Sequence, residues 1–140
     1  FKNLISLSHD HHHGLILANL IKRNAPPYKA LPNDTAGKAT YAKQFFVDEL
    51  VRHFKEEEEI LYPLVKGRNN NIDKFFLEIF DEHKQIKNLV EQLDTNPDTE
   101  NILDKLGNLL DAHIRKEERI LFVLIQEEFK DFELELMNKH

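Results

Sequence analysis

The chain contains no cysteine among its 140 residues. That absence excludes disulfides, cysteine nucleophiles, thiolate zinc sites and cysteine-bound iron–sulfur clusters, and it leaves histidine and carboxylate as the strong metal ligands. Glycine is scarce, with four residues, and no segment alternates apolar and polar residues with the period of a half-buried strand. No run of about eighteen apolar residues is present to span a bilayer, so no membrane partner is expected. Clustered basic residues are missing as well. With a net charge of −6 and a pI near 5.7, the chain is not expected to bind nucleic acid, which relies on grouped Lys and Arg. The first residues lack the basic-then-apolar layout of a secretory signal, and the expected location is the cytoplasm. A length of 140 residues predicts one domain, residues 1–140, with enough apolar surface for a core without covalent staples.

What the chain does have is a pattern written twice. His-x-x-x-Glu-Glu-x-Ile-Leu-aromatic stands at His53 to Tyr62 in a form rich in glutamate, and again at His113 to Phe122. On an α-helix, residues four apart share a face, so His53 with Glu57 and His113 with Glu117 each aim an imidazole and a carboxylate at one point. Two such pairs facing each other make a cage for two metal ions.

One copy alone reads most simply as a charged, solvated helix surface, because buried glutamate is rare unless paired. Apolar periodicity argues otherwise. Ile102, Leu106, Leu109, Ile120 and Leu124 are in phase with His113 and Glu117, and Phe46, Leu50, Ile60 and Leu64 are in phase with His53 and Glu57. Burying an unpaired carboxylate costs several kcal/mol or forces its protonation, and two pairs on two core stripes require a common partner. A metal centre meets that requirement. Glu56, Glu58, Glu59 and Glu118 lie off the stripes or at their margin, and most of them are assigned to solvated surface.

Four segments carry helical periodicity. Helix one is predicted from about Leu4 to Arg23, ended by Ala25-Pro26-Pro27, with a loop from Pro26 to Asp34. Helix two, capped by Asp34 or Thr35, continues to about Lys66 and stops at Gly67 and the Asn69-Asn70-Asn71 cluster. Pro63 inside it predicts a kink or weakening, whereas Val123 at the matching position predicts a straighter helix four. Helix three is expected from about Ile72 to Leu93, and helix four from Asp98 or Thr99 to about Phe129. Lys130 to His140 would extend it or form a short further helix. The fold class is all-α, an antiparallel up-down four-helix bundle with that short C-terminal extension.

Two more candidate ligands come from the remaining helices. His83 lies on the stripe of Phe76, Ile79, Ile86, Val90 and Leu93. Helix one offers His9, His11, His12 and His13. The stripe Leu4, Leu7, Leu15, Ala18 and Ile21 passes through His11, which is the first choice, and His12 is the second.

Taken together, Asp10-His11, His53 with Glu57, Glu82-His83 and His113 with Glu117 resemble the hemerythrin-like domains that bind metal through His and Glu, often called the HHE family. The resemblance covers nearly the whole chain. It implies a bundle enclosing a non-haem di-iron centre, two Fe ions joined by an oxo or hydroxo bridge and by Glu57 and Glu117, with the histidines as terminal ligands. Carboxylates can bridge because each has two oxygens, and neutral imidazoles add no charge. Zinc and manganese are alternatives for the same donors. The chain departs from oxygen-carrying hemerythrins at Lys87, where those proteins place a second helix-three His. The iron nearest helix three would then have fewer protein ligands and open positions, which weakens the case for reversible oxygen transport. The expected partner is a small molecule, oxygen, nitric oxide or peroxide. The functional expectation is binding or sensing of such ligands or iron handling under oxidative stress. A di-iron redox enzyme acting on peroxide or oxygen, and a structural or interaction bundle with a stabilising metal, are the alternatives.

Overall fold

The computed structural model describes residues 2–129, so the predicted C-terminal extension lies outside the described residues. Among the described residues the secondary structure is helical throughout, in four long rods: α1, Lys2–Ile21; α2, residues 35–65; α3, Asn70–Thr95; and α4, residues 99–128. Each of the last three begins on a side-chain cap. Asp34 accepts from the Gly37 N–H at 2.9 Å, Asn69 from the Asn71 and Ile72 N–H groups, and Asp98 from the Asn101 N–H. These caps satisfy donors that the first helical turn would leave without partners. α2 ends at Val65, ahead of Gly67 with its positive φ of 81°, and the asparagine cluster starts α3 two residues earlier than its periodicity predicts. No helix of the described residues is long and apolar enough to cross a membrane.

α1 lies along α4, and α3 also packs on α4. Gly107 permits the first contact: a Cβ there would stand 2.7 Å from the Ala18 carbonyl oxygen, closer than real side chains approach backbone. The apolar core is divided into two clusters. One contains Leu17, Leu20, Leu50, Phe54, Ile86, Leu106, Leu110 and Ile114, and the other contains Leu7, Leu61, Val65, Phe76, Ile79, Leu121 and Ile125. Along every helix the residues between the two clusters are the candidate ligands: His11 on α1, His53 and Glu57 on α2, His83 on α3, and His113 and Glu117 on α4.

α2 and α4 are not regular throughout. Wide π-type turns occupy Phe46–Leu50 and Glu56–Leu61 in α2, and Glu117–Leu121 in α4. In the two motif copies the bond is the same: Tyr62 N–H reaches the Glu57 carbonyl, and Phe122 N–H reaches the Glu117 carbonyl, five residues back. The wide turn does not depend on Pro63, since α4 carries the same one with Val123 in place of proline, although α2 ends two residues after Pro63 and α4 continues to Glu128. The wide turns correct the stripes. The extra residue per turn rotates Ile60 and Ile120 outward, to 51% and 44% exposure, and brings Leu61 and Leu121 into the core instead.

Candidate metal centre

Six polar side chains meet in the layer between the two apolar clusters. His11, His53, Glu57, His83, His113 and Glu117 are all buried, both glutamates completely. Their donor atoms form two sets, each within 4.8 Å: His11, His53, Glu57 and Glu117, and then Glu57, His83, His113 and Glu117. The two sets are matched. Each has two imidazoles of its own, and both share the two carboxylates.

All four Nε2 atoms point inward. His11 Nε2 and His53 Nε2 stand 3.1 Å apart, His53 Nε2 lies 3.3 Å from Glu57 Oε1, and His83 Nε2 lies 3.2 Å from that same oxygen. His11 Nε2 approaches Glu117 Oε1 to 2.7 Å, and His113 Nε2 lies 3.7 Å from Glu117 Oε2. These last two contacts fall outside hydrogen-bond geometry. Glu57 Oε2, His113 Nε2 and both oxygens of Glu117 are buried with no hydrogen-bond partner. Buried polar atoms are otherwise nearly always satisfied, so four such atoms converging on one point mark a place for a further group.

The four Nδ1 atoms point outward, and each meets a carboxylate from a different helix. His53 Nδ1 donates to Asp10 at 3.1 Å, His83 Nδ1 to Glu58 at 2.7 Å, His113 Nδ1 to Glu82 at 2.7 Å and His11 Nδ1 to Glu118 at 2.6 Å. The contacts run α1 to α2, α2 to α3, α3 to α4 and α4 back to α1, a closed ring around the bundle. Arg52 in turn grips both oxygens of Asp10 at 3.0 and 3.2 Å, and Lys116 holds Glu82 at 2.6 Å. An Nδ1–H committed to a carboxylate leaves Nε2 with its lone pair, the tautomer that a metal needs. Two such lone pairs facing each other at 3.1 Å, as in His11 and His53, repel unless a cation or proton stands between them.

Without such a cation the cluster holds protons. Burial by itself disfavours a charged His53, but attraction to Glu57 and contacts with Asp10 and Glu117 outweigh it and push its pKa up to about 12. At His11 burial is likewise outweighed by Glu117 and Glu118, and the pKa rises to about 9. Glu57 is opposed by burial, yet attraction to His53 and contacts with His53 and His83 hold it well below the ordinary carboxylate range.

The structure therefore brings together six of the seven residues selected from the sequence. His12, the second choice on α1, is exposed and does not join the cluster, because it lies about 100° around the helix from His11. Glu58 is exposed and Glu118 partly so, as their assignment to the surface expects, yet each immediately follows a shared glutamate and turns sideways to a histidine of another helix. Asp10 and Glu82, which precede His11 and His83, do the same. Lys87 is exposed, at the mouth of a groove lined by Phe46, Phe54, Glu58 and the outer edge of His83. The matched donor sets show no deficit confined to the α3 side. A small apolar pocket adjoins the cluster between Gly14, Leu50, Phe54, Leu110 and Ile114, bordered by His11, His53 and His113.

Residues 4–125 match the family model described as the hemerythrin HHE cation-binding domain. No curated protein and no solved structure matches the chain.

Proposed function

This chain belongs to the hemerythrin HHE cation-binding domain family, and on that premise we propose that its buried cluster holds a non-haem di-iron centre that binds or senses oxygen, nitric oxide or a related small ligand, or handles iron under oxidative stress. The observation that carries the reading is the convergence of four inward Nε2 atoms and two shared carboxylates, with Glu57 Oε2, His113 Nε2 and both Glu117 oxygens left without partners. His11 and His53 would hold one ion and His83 and His113 the other, while Glu57 and Glu117 would serve both. Six protein donors for two ions leave coordination positions unfilled. A pair of irons there would supply open positions and a change of oxidation state to a diatomic ligand or peroxide.

The protein's own part is to position and exclude. Asp10, Glu58, Glu82 and Glu118 fix the four imidazoles in one tautomer and orientation. The two apolar clusters close the layer from either end. The pocket adjoining His11, His53 and His113 is small and lined mainly by apolar side chains, a setting suited to a small uncharged ligand. That setting supports the diatomic-ligand reading.

Elemental analysis of protein purified without added metal, together with its optical spectrum and its response to nitric oxide, tests the proposal. Two irons per chain and a spectral change with nitric oxide are expected. Iron well below one per chain after anaerobic reconstitution would overturn it.

A further inference from the structure

Three of the four histidines on α1 take no part in the buried cluster. His9, His12 and His13 are exposed, and among the described residues none of them makes a hydrogen bond or ion pair, in contrast to the four histidines of the centre. Their rings are nevertheless gathered. His9 and His13 stand one turn apart with ring centroids at 5.2 Å and planes inclined by 64°, and His12 lies 5.9 Å from His13.

We infer that His9 and His13 form a second metal site, a two-imidazole chelate on the outer face of α1, that takes a borderline divalent ion such as Ni²⁺, Cu²⁺ or Zn²⁺. The spacing is the first argument, since residues four apart in a helix are neighbours on one face. The second is the distance. With metal–nitrogen bonds of about 2.1 Å, and a ring centre roughly 1.1 Å behind each nitrogen, two imidazoles on one ion have centroids about 4.5 Å apart at a right angle and about 5.2 Å apart at the tetrahedral angle. The observed 5.2 Å matches the tetrahedral end of that range. His12 projects about 100° away from His13, its ring stands farther off at 5.9 Å, and it is placed outside the chelate.

The site is separate from the buried centre. His9 and His13 are each two residues from His11, about 200° around the helix, so they face solvent where His11 faces the core. With two neutral nitrogens and open water positions, the chelate follows the stability order that favours copper, nickel and zinc over ferrous iron. An ion held there binds only when residues 9 to 13 are helical. It therefore reinforces the turn of α1 that carries Asp10 and His11 into the centre.

The test uses chain without an affinity tag, its buried centre first loaded with iron under anaerobic conditions, and Ni²⁺ as the probe. Equilibrium dialysis at about pH 7.5, where free imidazole is mostly neutral, compares wild type with His9→Gln, His13→Gln, His12→Gln and the His9→Gln/His13→Gln double variant, and iron is counted in the same samples. One Ni²⁺ more per chain is expected in wild type than in the double variant. Each of His9→Gln and His13→Gln should weaken it about tenfold or more, because loss of either imidazole ends chelation. His12→Gln should stay within about twofold, and iron content should be equal throughout. Wild-type nickel binding in His9→Gln, or a loss in His12→Gln as large as that in His9→Gln, overturns the site. Neither result bears on the proposal for the buried centre, which the iron count reads independently.

Discussion

Replacing Glu57 with glutamine removes one negative charge and little volume from a completely buried position shared by both donor sets. Its effect is clearest as a difference between metal-loaded and metal-free protein, because that difference cancels whatever the substitution does to the empty fold. With free metal at a thousand times its dissociation constant, linkage contributes about 4 kcal/mol for each ion, or about 8 kcal/mol for two. For 140 residues, an unfolding entropy of about 2.1 cal/mol/K per residue converts each kcal/mol into roughly 3.4 °C, so loading should raise the melting temperature by roughly 28 °C. A shared carboxylate should matter at least as much as an outer partner, whose loss weakens metal binding by up to about 100-fold. A 100-fold loss at both ions leaves about 1.4 kcal/mol each, and the rise falls to roughly 10 °C. Glu59 is exposed and outside both sets, so Glu59→Gln should keep the full rise. The assay is anaerobic thermal unfolding with and without ferrous iron, paired with a metal count after desalting. Two irons and an unreduced temperature rise in Glu57→Gln would refute the sharing of this carboxylate.

Three further outcomes follow from the same geometry. His11→Ala should lose metal while His12→Ala keeps it, since only His11 is buried in the cluster; metal counts on the two variants check this, and the opposite order would mean that α1 is rotated. Glu82→Gln and Glu58→Gln should each weaken metal binding by about 10- to 100-fold through the histidine they orient, measured by chelator competition. In metal-free protein the raised pKa values of His11, about 9, and His53, about 12, contribute stability that is complete below the ordinary imidazole value and fades as pH climbs through those values. Its melting temperature should therefore fall from neutral toward alkaline pH, and a flat profile from pH 7 to 10 would contradict the charge state inferred for the empty site.

Much of this molecule is local and therefore legible in one dimension. Helix spans follow from caps, prolines and apolar spacing, each a matter of a few neighbouring residues, and the bounds of α2 and α4 fall close to those read from Asp34, Gly67 and Asp98. The choice of His11 over His12 and the pairing of His53 with Glu57 rest on the same 3.6-residue period. That period fails where the helix departs from it. Ile60 and Ile120 are exposed because a wide turn follows each shared glutamate, and no residue type announces such a turn: one copy continues into proline and the other into valine. The outer ring of Asp10, Glu58, Glu82 and Glu118 was illegible for a different reason. Each of these carboxylates contacts a histidine on another helix, 25 to 107 residues away in the chain. Spacing along one helix states which face a residue occupies, but only the packing of neighbouring helices decides whether that face meets water or an imidazole.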